Sequence, residues 1–322
     1  MTGLQIKWDP DPLYFIFKKD VPGVAKMHIH KLDLKDWVKL DSSYYDQMRL
    51  RKQLMEEYPE MTFATRDESS TNTAKEEFLE LLVDNLVTYH SDKFRIMFDA
   101  NNQKIGIENL ILSEKYLFRS ELDPLVIASH LVQDDWIILE WDEKYSEYVI
   151  TAGVLCFPLG WTLPGKFLQP LRRIHAPVRQ YDHLKENVES VFESLEPSIS
   201  VWRANWVLTN GATSSLDLNS SVLHKKEVTS EFDSDRTGKE IFFRAEYQTL
   251  RRLPKSNAVL FSIRTYQRPL EEFLHFPKED SEALVFAIRN LSKDSVAYKR
   301  VDLWGTAALR YLEEVVLKQS KL

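Results

Sequence analysis

Apolar positions along the chain switch between two periods. From Thr73 to His90 they recur at helical spacing, with Phe78, Leu81, Leu82, Leu86 and Tyr89 on one side, and Thr73 followed by Glu76 predicts a capping box. Asp41 to Glu57 also reads as a helix, capped by Asp41 or Ser42 and ended by Tyr58-Pro59. Further helices are expected from Pro124 to Val132, Tyr181 to Leu195, Glu279 to Leu291 and Ser292 to Val316. Period-two and continuous apolar runs predict strands at Phe94–Phe98, Trp136–Trp141, Tyr148–Phe157, Ser200–Leu208, Ile241–Leu253 and Ala258–Tyr266. Turn residues at 142–146 and 255–257 make two antiparallel hairpins of four of these. The polar stretches 64–72 and 209–239 read as loops, the second long enough to be either functional or poorly ordered.

Two strands carry polar residues where apolar ones would be expected. Alternation puts Val201, Arg203, Asn205 and Val207 on one face of the first, away from Trp202, Ala204, Trp206 and Leu208. On the second, Arg244, Glu246 and Gln248 share a face, opposite Phe243, Ala245, Tyr247 and Thr249. Such groups are costly to bury unless satisfied, so they predict either an internal ion pair or a ligand site.

The stretch Tyr148 to Val178 organises the middle of the chain. Ala152 and Gly153 remove bulk from its strand, which suits a bulge or a flat object lying close to the backbone. Pro158, Gly160, Pro164 and Gly165 follow, then Arg172-Arg173-Ile174-His175-Ala176-Pro177. A neutral imidazole on this stiff apolar segment is a candidate metal ligand, or else a hydrogen-bonded structural histidine. His28 and His30 could share a strand face, but with no third ligand nearby an exposed polar face is the simpler reading.

Composition narrows the classes. The net charge of −7 argues against nucleic acid as a partner. The single cysteine, Cys156, allows no internal disulfide and no cysteine-based metal site. No signal peptide or membrane span is expected, and the localisation expected is cytoplasmic. Despite the acidic balance, Arg172, Arg173, Arg203, Arg244, Arg251, Arg252 and Arg264 gather around the most apolar strands. They need anionic partners: acidic side chains, the two propionates of a haem, or an acidic small-molecule effector.

The blocks AGVLCFPLGW, PGKFLQPLRRIHAPV, VWRANW, YQTLRRLP and VLFSIRTY, in that order, resemble the signature blocks of the DUF3445 family. These are proteins like the α subunit of haem-dependent oxidative N-demethylase. The resemblance is strongest from Gln133 to Pro269. It implies an α+β, PAS-like fold, an antiparallel sheet flanked by helices with haem b in its pocket. Residues 1–125 would form an N-terminal arm and helices, 126–275 the haem-binding core, and 276–322 C-terminal helices.

The implied activity is O2-dependent oxidative N-demethylation of a small amine. Electrons would come from a separate reductase carrying flavin and an iron–sulfur centre, and further assembly into an oligomer is possible. His175 is the expected iron ligand, with His90, His130 and His275 as fallbacks. Arg172, Arg173, Arg251, Arg252 and Arg264 are expected around the cofactor. Glu246, Arg203, Asn205 and Gln248 are expected as the catalytic set. A haem-based gas or redox sensor and a haemless small-molecule-binding protein are the rival readings.

Overall fold

The computed structural model describes residues 29–174, 190–210 and 233–319. Its centre is a seven-stranded antiparallel sheet in the order β1-β8-β9-β10-β6-β7-β2. The strands are β1 (His30–Lys31), β2 (Phe63–Thr65), β6 (Asp135–Asp142), β7 (Glu147–Val154), β8 (Val201–Asn210), β9 (Ile241–Arg252) and β10 (Val259–Pro269). Both expected hairpins form, β6 with β7 and β9 with β10. Successive strands joined by short turns pair antiparallel because neighbouring segments meet first and twist compatibly.

Each face of the sheet packs its own apolar cluster. One receives the helices α1 (Tyr44–Glu57) and α3 (Ser69–Tyr89) and the C-terminal helices, around Trp37, Phe78, Trp136, Phe243 and Phe273. The other receives the short helices α5 (Leu163–Lys166) and α6 (Leu171–Ile174) and the helical residues 190–194. There Ile137, Leu139, Ile150, Leu163, Leu171, Ile174, Phe192 and Val259 pack together. No described helix is long and apolar enough to cross a membrane.

Several local expectations are corrected. Residues 64–72 are not a loop, because β2 pairs with the outer edge of β7 and α3 begins at Ser69. The backbone bonds offered by that edge outweigh the polar character of the segment. Thr73 therefore lies one turn inside α3, where its hydroxyl donates to the Ser69 carbonyl (2.9 Å) instead of capping. The helix at Pro124 stops at Ser129. A second sheet, β3 (Phe94–Phe98), β4 (Lys104–Asn109) and β5 (Glu114–Leu117), contains two strands that the pattern did not suggest. Their polar residues alternate on a face left partly in water.

At the C-terminus, the helix expected from Ser292 to Val316 is broken at Arg300, whose φ of 51° is left-handed. Of the polar segment 209–239, residues 211–232 lie outside the described residues. Its ends are structured, as the last turn of β8 and a helix at Ser234–Glu240.

The small residues of β7 do mark an irregularity. Ile138 faces Ala152 whereas Leu139 faces Ile150, so Thr151 is the extra residue of a bulge. The space over Gly153 is already taken. A Cβ there would lie 2.9 Å from Ile137 Cδ1 and 3.0 Å from Leu163 Cδ1, so the missing side chain lets α5 approach the strand.

Candidate functional site

Cross-strand register gathers the polar strand residues. Arg203 stands opposite Gln248, and Asn205 opposite Glu246, across β8 and β9. Residues paired this way project to the same face. Following the register through β10 and β6 shows that this face also carries Phe261, Ile137, Val259 and Leu139. One sheet face is thus polar at its β8–β9 end and apolar at its β6–β7 end, and α5 and α6 sit against the apolar end.

Glu246 is the centre of the polar half. Its carboxylate accepts from Gln248 Nε2 (2.8 Å), Arg244 Nη2 (3.2 Å) and Asn205 Nδ2 (3.4 Å). Arg244 is buried and also donates to the Phe157 carbonyl at 2.7 Å, so it ties the breaker-rich loop after β7 to the carboxylate. The same loop is held from its other side by Asp135, which accepts from the Cys156 and Phe157 amides (both 2.9 Å) and pairs with Arg51 at 3.0 Å. Asp135 and Arg51 are both fully buried, and burial raises the Asp135 pKa despite the guanidinium beside it.

The charge of Glu246 acts on three more cations, Lys166, Lys299 and Arg203. Burial lowers the pKa of Lys166 to about 8, against the pull of the Glu246 charge, and Lys166 Nζ lies 4.4 Å from the Trp161 ring centre. Burial likewise brings Lys299 down to about 8. Its ammonium donates to the Trp206 carbonyl and reaches Asn205 Oδ1 at 3.4 Å. Among the described residues β1 pairs with Val201 and Trp202 of β8. Burial lowers the Arg203 pKa as well, and its Nε is buried with no partner among the described residues. Exposed Tyr298 is close enough for Glu246 to raise its pKa and for Arg203 to oppose that rise.

The structure therefore brings Arg203, Asn205, Glu246 and Gln248 together. The arginines expected around a cofactor are dispersed. Arg264 and Arg251 project from the opposite face. Arg264 is fully buried and held by Asp41 Oδ2 (2.5 Å) and the Thr265 carbonyl (2.7 Å), while Arg251 rests 4.7 Å from the Trp37 ring centre. Arg252 is on the Glu246 face, but its guanidinium bonds the carbonyls of Leu195 (2.6 Å), Phe192 (2.5 Å) and Asn257 (2.9 Å) and the Tyr148 hydroxyl (3.1 Å). Arg172 is ion-paired with Glu147, and Arg173 bonds Gln169 Oε1 at 3.3 Å on the surface.

His175 lies outside the described residues. It directly follows Ile174, the last residue of α6, which is buried in the apolar half of the same face. His90 ends α3 and His130 ends α4 (Pro124–Ser129), both away from that face. Burial lowers the His130 pKa to about 4, and its ring packs 5.7 Å from that of Tyr116. His275 ends the turn of helix after β10. Among the described residues no three histidine, cysteine or acidic side chains converge as a metal site.

Sequence reasoning missed Lys166, Lys299 and Asp135. The only available signal was a lysine or an acid placed beside an aromatic residue at the end of an apolar run, as in Asp135-Trp136. An open surface cleft of about 450 Å³ lies elsewhere, at the β6–β7 and β9–β10 turns, between Arg66, Glu140, Trp141 and Asn257. It contains none of the residues expected at the site. A family model described as haem-dependent oxidative N-demethylase, alpha subunit-like, matches residues 28–309.

Proposed function

This chain belongs to the family of proteins like the alpha subunit of haem-dependent oxidative N-demethylase, and on that premise we propose that it is the haem-carrying component of an O2-dependent oxidation of a small amine. One observation carries the reading: a single sheet face, split into apolar and cationic halves, lies under the helix that leads into His175.

The residues present fit a haem in part: the polar half of the face offers cations for its two carboxylates, whereas Ile137, Leu139 and Ile150 of the apolar half are already packed under Leu163, Leu171, Ile174 and Phe192. The five strands β7-β6-β10-β9-β8, with Leu163, Leu171, Ile174 and Phe192 from between β7 and β8 packed on one face, support a PAS-like reading of the core. His175 is the residue assigned to the iron, a role in which a histidine's second ring nitrogen needs an acceptor. When bound, the haem would supply O2 activation and the oxidation of a methyl group.

The overall change takes one amine methyl to formaldehyde. O2 and two electrons and two protons are consumed, and the shortened amine and water leave. The electrons come from a separate reductase, of the flavin and iron–sulfur kind that the resemblance implies. The chain's own residues position and protonate. Glu246 is fixed by three donors, so it presents a charge in one place without reorganising, which suits it to hold an alkylammonium or pass a proton. Gln248 and Asn205 orient that carboxylate. Arg203 adds donors for a group that gains negative charge.

The test is haem titration of the purified chain followed by a screen of small amines with O2 and a reductant, read by formaldehyde release. Stoichiometric haem uptake with formaldehyde from at least one amine is expected. Stoichiometric haem uptake with no formaldehyde from any amine would leave binding without this chemistry.

A further inference from the structure

Phe157 is gripped at three points. Its amide donates to Asp135 Oδ2 (2.9 Å), its carbonyl accepts from Arg244 Nη2 (2.7 Å), and its ring lies 5.0 Å from the Arg51 guanidinium. Asp135 Oδ1 also accepts the Cys156 amide (2.9 Å) and pairs with Arg51 (3.0 Å), which donates to the Gln133 carbonyl (2.7 Å). On the far side, the same Arg244 Nη2 reaches Glu246 Oε1 (3.2 Å) and Thr265 Oγ1 (3.3 Å). Arg51, Asp135 and Arg244 are all buried. Asp135 stands opposite Ile263, and Ile263 opposite Gln248, so Asp135 projects to the face that carries Gln248 and Glu246. Two strand spacings, about 10 Å, separate it from β9. One carboxylate does not span that gap, and the Phe157 peptide bridges it with a hydrogen bond at each end.

We propose that Asp135 is a positioning residue for Glu246, acting through the Phe157 peptide and Arg244. The role rests on the reading above that Glu246 acts on substrate. A buried ion pair adds little net stability, because taking two charges out of water offsets most of their attraction. What the Asp135–Arg51 pair supplies is fixed geometry. It holds two successive amides, Cys156 and Phe157, where the chain leaves β7 for the breaker-rich loop. Arg244 has a long flexible stem, and the Phe157 carbonyl and Thr265 hydroxyl set the direction of its fork. The Glu246 carboxylate takes its place from that fork together with Gln248 and Asn205. Loss of Asp135 frees the loop, Arg244 follows the Phe157 carbonyl, and Glu246 loses its fixed direction. A displacement of about 1 Å in a reacting group is enough to cost about a hundredfold in rate.

The first test is a double-mutant cycle of Asp135→Asn and Glu246→Gln, read by urea unfolding of the purified chain. Among the described residues the two side chains share no hydrogen bond or ion pair, so independent effects should add. If both hold Arg244, the double variant should be more stable than the summed single losses, by at least threefold in the unfolding constant. Direct repulsion between the two carboxylates would give the opposite sign. An interaction below threefold, or of that opposite sign, would overturn the coupling. The second test is turnover, as kcat per bound haem, with any amine that releases formaldehyde. Asp135→Asn should lose at least tenfold. A residue that only holds the loop would lower the folded fraction and leave kcat per bound haem unchanged, so a loss below threefold would overturn the assignment whatever the unfolding data show.

Circular dichroism checks the fold. Arg51→Met/Asp135→Leu, which strands no cation, replaces Asp135→Asn if that variant does not fold, and it carries the same expectations. If wild type releases formaldehyde from no amine, the proposed function falls separately. The unfolding cycle alone then decides whether Asp135 sets the place of Glu246.

Discussion

Asp134 is a fully buried carboxyl whose two oxygens have no hydrogen-bond partner among the described residues, and burial raises its pKa from 3.8 to about 7. Arg264 and Arg51 pull that value down, and Asp135 and Asp41 push it up, but the loss of water dominates. A carboxyl that holds its proton more tightly in the folded chain than in the unfolded one stabilises fully below about pH 3.8. That contribution is lost as the pH rises to about 7. At 1.36 kcal/mol per unit the whole range is worth about 4 kcal/mol, and the two units between pH 5 and pH 7 about 3 kcal/mol.

Asp134→Asn keeps the shape of the protonated acid and cannot ionise. The variant should gain about 3 kcal/mol over wild type between pH 5 and pH 8. Any fixed penalty for the amide cancels in that difference, as does the titration of Asp41 and Asp135, which both proteins share. Urea unfolding at pH 5, 6, 7 and 8 gives the difference directly. A stability gap between the two proteins that stays constant across those pH values would refute the argument.

Glu246→Gln keeps the hydrogen-bonding reach but removes the charge. If Glu246 acts on substrate, the variant should load haem and melt near wild type yet lose most amine turnover. If it serves only Arg244, the stranded cation should lower stability by about 3–5 kcal/mol, with activity following the folded fraction. His175→Ala should sharply reduce haem uptake or change the spin-state spectrum, and an unaltered Soret band at full loading would exclude His175 as the ligand. Gly153→Val should destabilise by about 1–3 kcal/mol in thermal unfolding, because the new side chain meets Ile137 and Leu163; an unchanged melting temperature would show that α5 gives way. Lys166 and Lys299 hold their protons less tightly in the folded state than in the unfolded, so their contribution to stability should rise as the pH passes from about 8 to 10.5.

The order of strands and helices in the core was legible in the chain because alternation and turn chemistry are local. The β6–β7 and β9–β10 hairpins follow from apolar runs separated by a few turn residues. Alternation also placed Arg203 with Asn205, and Arg244 with Glu246 and Gln248, on single faces before any pairing was known. Residues with local backbone competition were misread, such as Thr73, and strands that leave one side in water were missed, such as β4 and β5.

Only the tertiary structure decided which of the arginines share a face with Glu246. The β8–β9 register sets Asn205 against Glu246, and a shift of one residue would have sent either one to the other side of the sheet. The same is true of the cations that complete the polar half. Lys166 comes from the loop after β7 and Lys299 from beyond the C-terminal helix Lys293–Tyr298. Neither has a sequence neighbour that points to Glu246. Lys166 is placed by burial of Leu163 in the apolar half, and Lys299 by burial of Trp304 in the cluster on the opposite face, and a local pattern carries no information about which distant charges such burial brings together.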